Sequence, residues 1–376
     1  MWPNTPLCQL CDILDSRRKP ITRKNRSPGA YPYYGATGIL DYVEGYLFDE
    51  PLVLIGEDGA KWDAGDNSAF SIKGKTWVNN HAHVIRPNRD KVMDKWLTYY
   101  LNGEDLSDFI TGMTVPKLNQ GKLKEIPIPL PPIPEQQRIV AILDQAFADI
   151  EKARANAEQN LKNARELFDS YLNQVFSQRG EGWVVYNLED LCDLISGQHI
   201  DAKDYNSEQQ GIGYLTGPSD FGELNPIVTK WTEHPKRTAV KGDILITVKG
   251  SGVGKINIMD SAELAISRQL MAIRPTRANG QLLYWFLSLQ FNYFQSLANG
   301  AAIPGISRGD VLGLTLSIPI MGKQINLVAK MDAMYDECSL LNDTYMAKIN
   351  SLDELKKSLL QKAFSGELTK GEGRAA

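Results

Sequence analysis

Four cysteines in 376 residues, at positions 8, 11, 192 and 338, are too few to frame a disulfide-stapled fold. Cys8-x-x-Cys11 has no second pair to complete a zinc tetrad, so all four are expected to be reduced thiols. Long apolar runs are missing as well. Nothing approaches the roughly 18 consecutive apolar residues of a membrane span, and Met1-Trp2-Pro3-Asn4 opens nothing like a signal peptide, so a cytoplasmic setting with no membrane contact is expected. Nor is there an excess of positive charge: 41 Lys and Arg against 45 Asp and Glu leave a net charge of −4. That balance argues against a globally basic nucleic-acid binder but permits local basic clusters.

The signatures of catalysis are also absent. The loop Lys249-Gly250-Ser251-Gly252-Val253-Gly254-Lys255 resembles a phosphate cradle, but a P-loop needs glycine where Lys249 stands and Ser or Thr where Ile256 stands. No Gly-x-Gly-x-x-Gly opens a βα unit, so no dinucleotide or S-adenosylmethionine pocket is expected. Asn225-Pro226-Ile227 lacks the second proline and aromatic residue of a DNA amino-methyltransferase. Glu354-Leu355-Lys356 has the shape of a nuclease motif but falls in a helical stretch, where it reads as a solvated face. His81-x-His83 would place two imidazoles on one side of a strand with no third ligand nearby. The chain is expected to be non-catalytic, with no cofactor, metal or small-molecule substrate of its own.

What the sequence does contain is a repeat. At an offset of 188, Gly112, Pro116 and Gly121 fall on Gly300, Pro304 and Gly309, Ile85-Arg86-Pro87 on Ile273-Arg274-Pro275, Gln136 on Gln324, Asp144 on Asp332, and Phe176-Ser177 on Phe364-Ser365. Nearer the start, Leu10-Cys11-Asp12 falls on Leu191-Cys192-Asp193 at an offset of 181, so the halves differ by a net seven residues between positions 12 and 85.

The ungapped back of each half is helical. Residues 135–178 and 323–366 contain no proline and carry apolar residues at a 3-and-4 spacing: Ile139, Leu143, Ala146, Ile150, Ala153, Ala157, Leu161, Ala164, Leu167, Tyr171 and Val175, with apolar or aromatic residues again 188 positions later. Matched stripes of this length predict two long helices, each roughly 65 Å, in a coiled-coil-like pair. The alternative is two amphipathic helices, each packed on its own domain. The variable fronts, 1–110 and 182–298, carry short β-rich runs such as Pro51–Ile55 and Asp243–Val248 between Gly, Asn and Asp turns, with one or two helical stretches. The expected class is α+β: two small domains built on a twisted, barrel-like sheet, at 1–133 and 180–321, alternating with long helices at 134–179 and 322–367, and a flexible tail at 368–376.

Arg17, Arg18, Lys19, Arg23, Lys24 and Arg26 form a basic cluster suited to neutralising phosphates, with Tyr33 nearby for stacking or packing. The repeat sharpens this, because Asn79-Asn80-His81 falls on Ser267-Arg268-Gln269, just before the shared Ile-Arg-Pro. Arg suits guanine, and Asn or Gln suits adenine. Equivalent positions with different chemistry are what two copies of one domain need to read two different sequences. Glycine loops at Gly56–Lys61 and Lys249–Lys255 are expected in comparable places, offering Lys61, Lys249, Ser251 and Lys255 to a DNA backbone.

The run Ile128–Val140 (IPLPPIPEQQRIV), the run Leu359–Leu368 (LLQKAFSGEL) and the phrases Gly242-Asp243-Ile244-Leu245 and Ala265-Ile266-Ser267-Arg268-Gln269 resemble the specificity subunit of Type I restriction-modification systems over essentially the whole chain. One departure is the start of the second helix, where Met321-Gly322-Lys323 replaces Ile-Pro-Glu. The resemblance implies two target-recognition domains, each reading half of a bipartite DNA site, and two antiparallel helices that set the spacer. It also implies two methyltransferase subunits carrying S-adenosylmethionine, which methylate adenine, and two restriction subunits using ATP and Mg. The rival reading is a coiled-coil scaffold that joins two protein-binding modules and touches no DNA.

Overall fold

A computed structural model describes residues 2–112, 114–298 and 304–370. The repeat positions Met113 and 299–303, and residues 371–376 of the expected tail, lie outside that set. The chain divides into two compact units, Met1–Gln159 with Tyr345–Ala376, and Asn160–Thr344. Among the described residues, no helix is long and apolar enough to cross a membrane.

In the first unit the strands form two four-stranded sheets. One is antiparallel throughout, in the order Cys11–Ile13, Ala82–Pro87, Leu52–Gly56, Ala69–Ile72. The other runs Gly38–Val43, Pro28–Gly35, Lys75–Val78, Phe48–Asp49, with its central pair parallel in the register Tyr33 to Trp77. Leu52–Gly56 is buried on both faces, which explains its unbroken apolar sequence. Leu52 and Leu54 join Phe48, Val78 and Val84 in a core between the sheets, while Val53 and Ile55 join Ile85, Trp96 and Leu97 beneath the helix Asp94–Gly103.

The second unit repeats this plan strand for strand. Its antiparallel sheet runs Cys192–Ser196, Leu270–Pro275, Ile244–Thr247, Ile256–Ile258, and its mixed sheet Trp231–Thr232, Ile212–Leu215, Glu263–Ile266, Thr238–Val240, again with a parallel central pair. The arginine of the shared Ile-Arg-Pro is structural in both. Arg86 holds Glu50 through two bonds of 2.7 and 2.8 Å, and Arg274 holds the buried Asp243 at 2.9 and 2.7 Å.

The long helices are Ile133–Phe176 and Met321–Ser365. Pro134 lies in the first turn of the first, where its missing N–H leaves no helical bond unmade. The second ends at Gly366, whose φ of 75° lets the N–H groups of Glu367 and Leu368 turn back to the Lys362 carbonyl. Leu368 then packs on the core of the first unit, and Thr369 is buried with its hydroxyl donating to Glu135. Each unit contains parts of both long helices running antiparallel. In the first unit Arg154 pairs with Asp353, and Glu151 with Lys356 at 3.6 Å; in the second, Arg165 donates to Asn342 at 3.1 Å and Phe168 packs on Tyr335. Most of the expected stripe is turned inward, but Leu167 is 48% exposed while Phe168 and Leu172 are buried. A 3.6-residue helix drifts against a 3.5-residue pattern, and here the buried seam moves over by one residue.

The repeated glutamine explains how each helix is fastened to its domain. Gln136 is fully buried; its Oε1 accepts from Met93 N, and its Nε2 donates to the carbonyls of Lys91 and Pro131, all at 2.9 Å. Gln324 accepts from Asn279 N and donates to Pro319 O, both at 2.8 Å. Gln136→Leu is expected to strand three backbone groups and lower stability by about 2–3 kcal/mol in chemical denaturation, while the isosteric Gln136→Glu should also lose the two donated bonds.

Candidate nucleic-acid interface

Three segments converge at the same place in each unit. In the first, the turn 79–81 joins Lys75–Val78 to Ala82–Pro87, the loop after Gly56 leads to Ala69, and residues 117–118 pair with that loop. Glu57 N donates to His81 O, Leu118 N donates to Glu57 O, and Asp58 bridges Lys117. In the second, Val248 N donates to Gln269 O, Ile306 N donates to Val248 O, and Lys249 bridges Gly305. The backbone scaffold is therefore identical, and both glycine loops occupy the same hairpin connection.

The first residue of each turn builds it. Asn79 is 3% exposed, its N–H donates to Tyr34 O and its Oδ1 accepts from His81 N at 2.8 Å. Ser267, also buried, donates its N–H to Leu215 O, and its hydroxyl accepts from Gln269 N at 3.2 Å while donating to Thr216 O. With its carbonyl oxygen committed to the turn, Asn79 stands behind the surface, and Asn80, His81, Arg268 and Gln269 are the exposed positions. Arg268, Gln269 and Lys249 line one cleft of about 510 Å³ with Gly250, Pro304 and Gly305. Lys255 lines a different cleft, with Pro218 and Phe291, and Ser251 is exposed on the same loop.

The basic cluster divides. Lys19, Arg23 and Lys24 are exposed, as is Lys61. Arg17 sits over Phe48 at 4.6 Å and pairs with Glu50. Arg26 pairs with Asp41 and stacks on Tyr33, which is 1% exposed and has its hydroxyl on the backbone of Ile21, so Tyr33 has no ring face left for a base. Arg18 turns inward to Glu57, Asp15 and the Ala82 carbonyl. The basic cluster is thus tied down at three of its six cations.

The Arg18 network was not visible in the sequence, because its members lie at 15, 57, 83 and 117. Fully buried His83 donates Nε2–H to Leu118 O at 2.7 Å and presents Nδ1 to Asp15 at 2.6 Å. His81, by contrast, is exposed on the turn with Nδ1 on Asp58, so the two histidines do not share a site. Asp15, Glu57 and His83 offer ligand atoms within 4.8 Å of one another, but Arg18 and Lys117 already pair with the carboxylates. Burial alone would push both acids up. For Asp15 the His83 bond, the Val84 N–H and Arg18 outweigh it, and for Glu57 Lys117 and Arg18 do, so both carboxyls are held below their ordinary 3.8 and 4.5. In the second unit, Val248, Met271 and Gly305 replace Glu57, His83 and Lys117. Lys117, Asp58 and Gly305 belong to these converging segments and were not singled out from sequence; the repeated Gly-x₃-Pro spacing that ends in this segment was the available signal.

A family model described as the Type I restriction modification DNA specificity domain matches residues 2–159 and again 180–351. A Haemophilus influenzae protein assigned as a type I restriction enzyme specificity subunit is 40% identical over 143 residues, 38% of this chain and 37% of that relative's length. The EcoDI specificity subunit of Escherichia coli is 21% identical over 98% of this chain and 89% of its own. A solved chain from a study of complex assembly and conformational transition in a type I restriction-modification system shares the fold, with a TM-score of 0.79 over 98% of both chains at 24% identity.

Proposed function

The chain belongs to the specificity-subunit family of Type I restriction-modification systems, and from that membership we propose that it is the non-catalytic DNA-specificity subunit of such a complex. The observation that carries this reading is the duplicated scaffold. Two units present the same turn, loop and third segment, yet fill the exposed positions with Asn80-His81 in one and Arg268-Gln269 in the other. A scaffold for two identical ligands would have no need of that difference, whereas two halves of an asymmetric DNA site require it.

On this reading each unit takes one half-site. Lys19, Arg23, Lys24 and Lys61 in the first unit and Lys255 in the second serve the phosphates, which carry no sequence information but fix position. The long helices set the unread spacer and dock two methyltransferase subunits, through which two restriction subunits join. S-adenosylmethionine belongs to the methyltransferase partner, and ATP and Mg to the restriction partner. This chain brings sequence selection and no cofactor.

The test is single-molecule methylation sequencing of a host without other methylases that expresses the chain with its methyltransferase subunit. A split adenine-methylation motif that vanishes without the chain supports the proposal. No motif from a folded, bound complex would favour the scaffold. In the same assay, inserting four residues, about one turn, at matched positions in both long helices is expected to lengthen the spacer and leave both half-sites unchanged. A constant spacer would sink the ruler role.

A further inference from the structure

The two interfaces differ in more than their reading side chains, because the residue beside each turn reverses its charge. Asp58 and Lys249 occupy one position of the shared scaffold, each bridging the third segment, to Lys117 and Gly305 respectively. Asp58 holds the Nδ1 of His81. Lys249 shares its cleft with Arg268 and Gln269.

These neighbours select opposite hydrogen-bond patterns. The major-groove edge of guanine offers two acceptors, N7 and O6, and adenine offers an acceptor, N7, beside a donor, the N6 amino group. In the second unit, Arg268 and Lys249 are donors only, so this pair is matched to the acceptor pair of guanine, while Gln269 in the same cleft can also accept and is left to a neighbouring position. In the first unit, a carboxylate that can only accept stands where Lys249 stands in the second. It would meet guanine's two acceptors without a proton to share, and so it disfavours that edge. Asn80, exposed next to His81 in the turn, carries one donor and one acceptor on a planar amide, which matches N7 and N6 of adenine. Asn79 next to it is unsuited to this role, since it is buried and its Oδ1 already accepts from His81 N.

Resting on the reading of the two units as DNA half-site readers, we propose that the second unit selects a G·C pair through Arg268 supported by Lys249, and that the first selects an A·T pair through Asn80, with the Asp58–His81 pair excluding guanine. The asymmetry of the target then follows from one charge reversal and two exposed turn residues on a common backbone.

The experiment is the same methylation sequencing applied to variants co-expressed with the methyltransferase subunit. Arg268→Ala is expected to relax one G·C position in one half-site, lowering discrimination there by about 5- to 150-fold, and Asn80→Ala to relax one A·T position in the other half-site. Relaxation at the opposite kind of pair, in the wrong half-site, or at no position overturns the assignment. Where Arg268→Ala abolishes methylation altogether, Arg268→Lys decides: it keeps the charge but loses the two-pronged contact, so the G·C preference should weaken, and unchanged selectivity overturns the proposal. If the unsubstituted chain directs no bipartite motif, the half-site reading itself fails; if it directs one that these variants leave intact, only the residue assignment does.

Discussion

Arg18→Ala should cost the protein about 3–5 kcal/mol, far more than the loss of any other cation in the basic cluster, because it leaves two buried carboxylates short of a counter-charge. The Arg18 side chain is 13% exposed, and those of Asp15 and Glu57 are 6% and 11% exposed, so solvent does little to screen the group. Lys117 and His83 would remain, but Lys117 is half in solvent and His83 is already committed to Asp15 and Leu118. Acid should erase the difference. Both carboxyls titrate below their ordinary range in the folded chain, so their contribution is complete above that range and is lost as pH falls through the lowered values. Denaturation midpoints of the native chain and of Arg18→Ala should therefore stand well apart at neutral pH and converge once the pH has fallen through those lowered values. A gap that persists in acid would mean that the loss comes from packing rather than charge. Substitution of exposed Lys24 should leave both midpoints within about 0.5 kcal/mol of the native chain.

The contrast between Arg18 and Lys24 shows where the sequence was legible and where it was not. Features that repeat were readable: both long helices, the equivalence of Asn79–His81 with Ser267–Gln269 and the matching glycine loops follow from offsets and periodicity, which are local or self-referential. The identity of Arg18 as a buried network member was hidden, since its partner Glu57 lies 39 residues away and nothing in a run of six cations marks which one turns inward. Tyr33 and Asn79 were hidden for the same reason. Asn79 looked like an exposed reader in sequence and Tyr33 was open to stacking or packing, yet each makes its decisive contact with a segment that the fold brings near: Tyr33 with Ile21 and Arg26, Asn79 with Tyr34. Leu167 failed differently, through a phase drift of one residue that a fixed heptad cannot follow.

The same non-local wiring decides how a specificity exchange must be cut. Replacing the variable front 1–110 with that of a relative would remove Glu57 and Asp58 but leave Lys117 and Leu118 behind, although Lys117 pairs with Glu57 at 2.8 Å and Leu118 with its carbonyl. Such a chimera retains a lysine opposite whatever residue arrives, as though Lys117 were set against Val248 of the second unit. A cut just before Ile133 instead carries all three segments together and keeps both long helices native. The foreign front must then meet Ile139 and Leu143 on one helix and Phe364 on the other, the last held edge-on by Trp96 and Tyr100 at 4.8 and 5.1 Å. Exchange of 1–132 is therefore expected to replace one half-site completely and leave the other half-site and the spacer unchanged. Exchange of 1–110 should give a weaker or blurred version of the same switch, recovered when residue 117 is exchanged as well. Methylation sequencing of the two chimeras distinguishes these results. A change in both half-sites on exchange of 1–132 would mean that the units do not read independently, and an equally sharp switch from both cuts would remove the 117–118 segment from the interface.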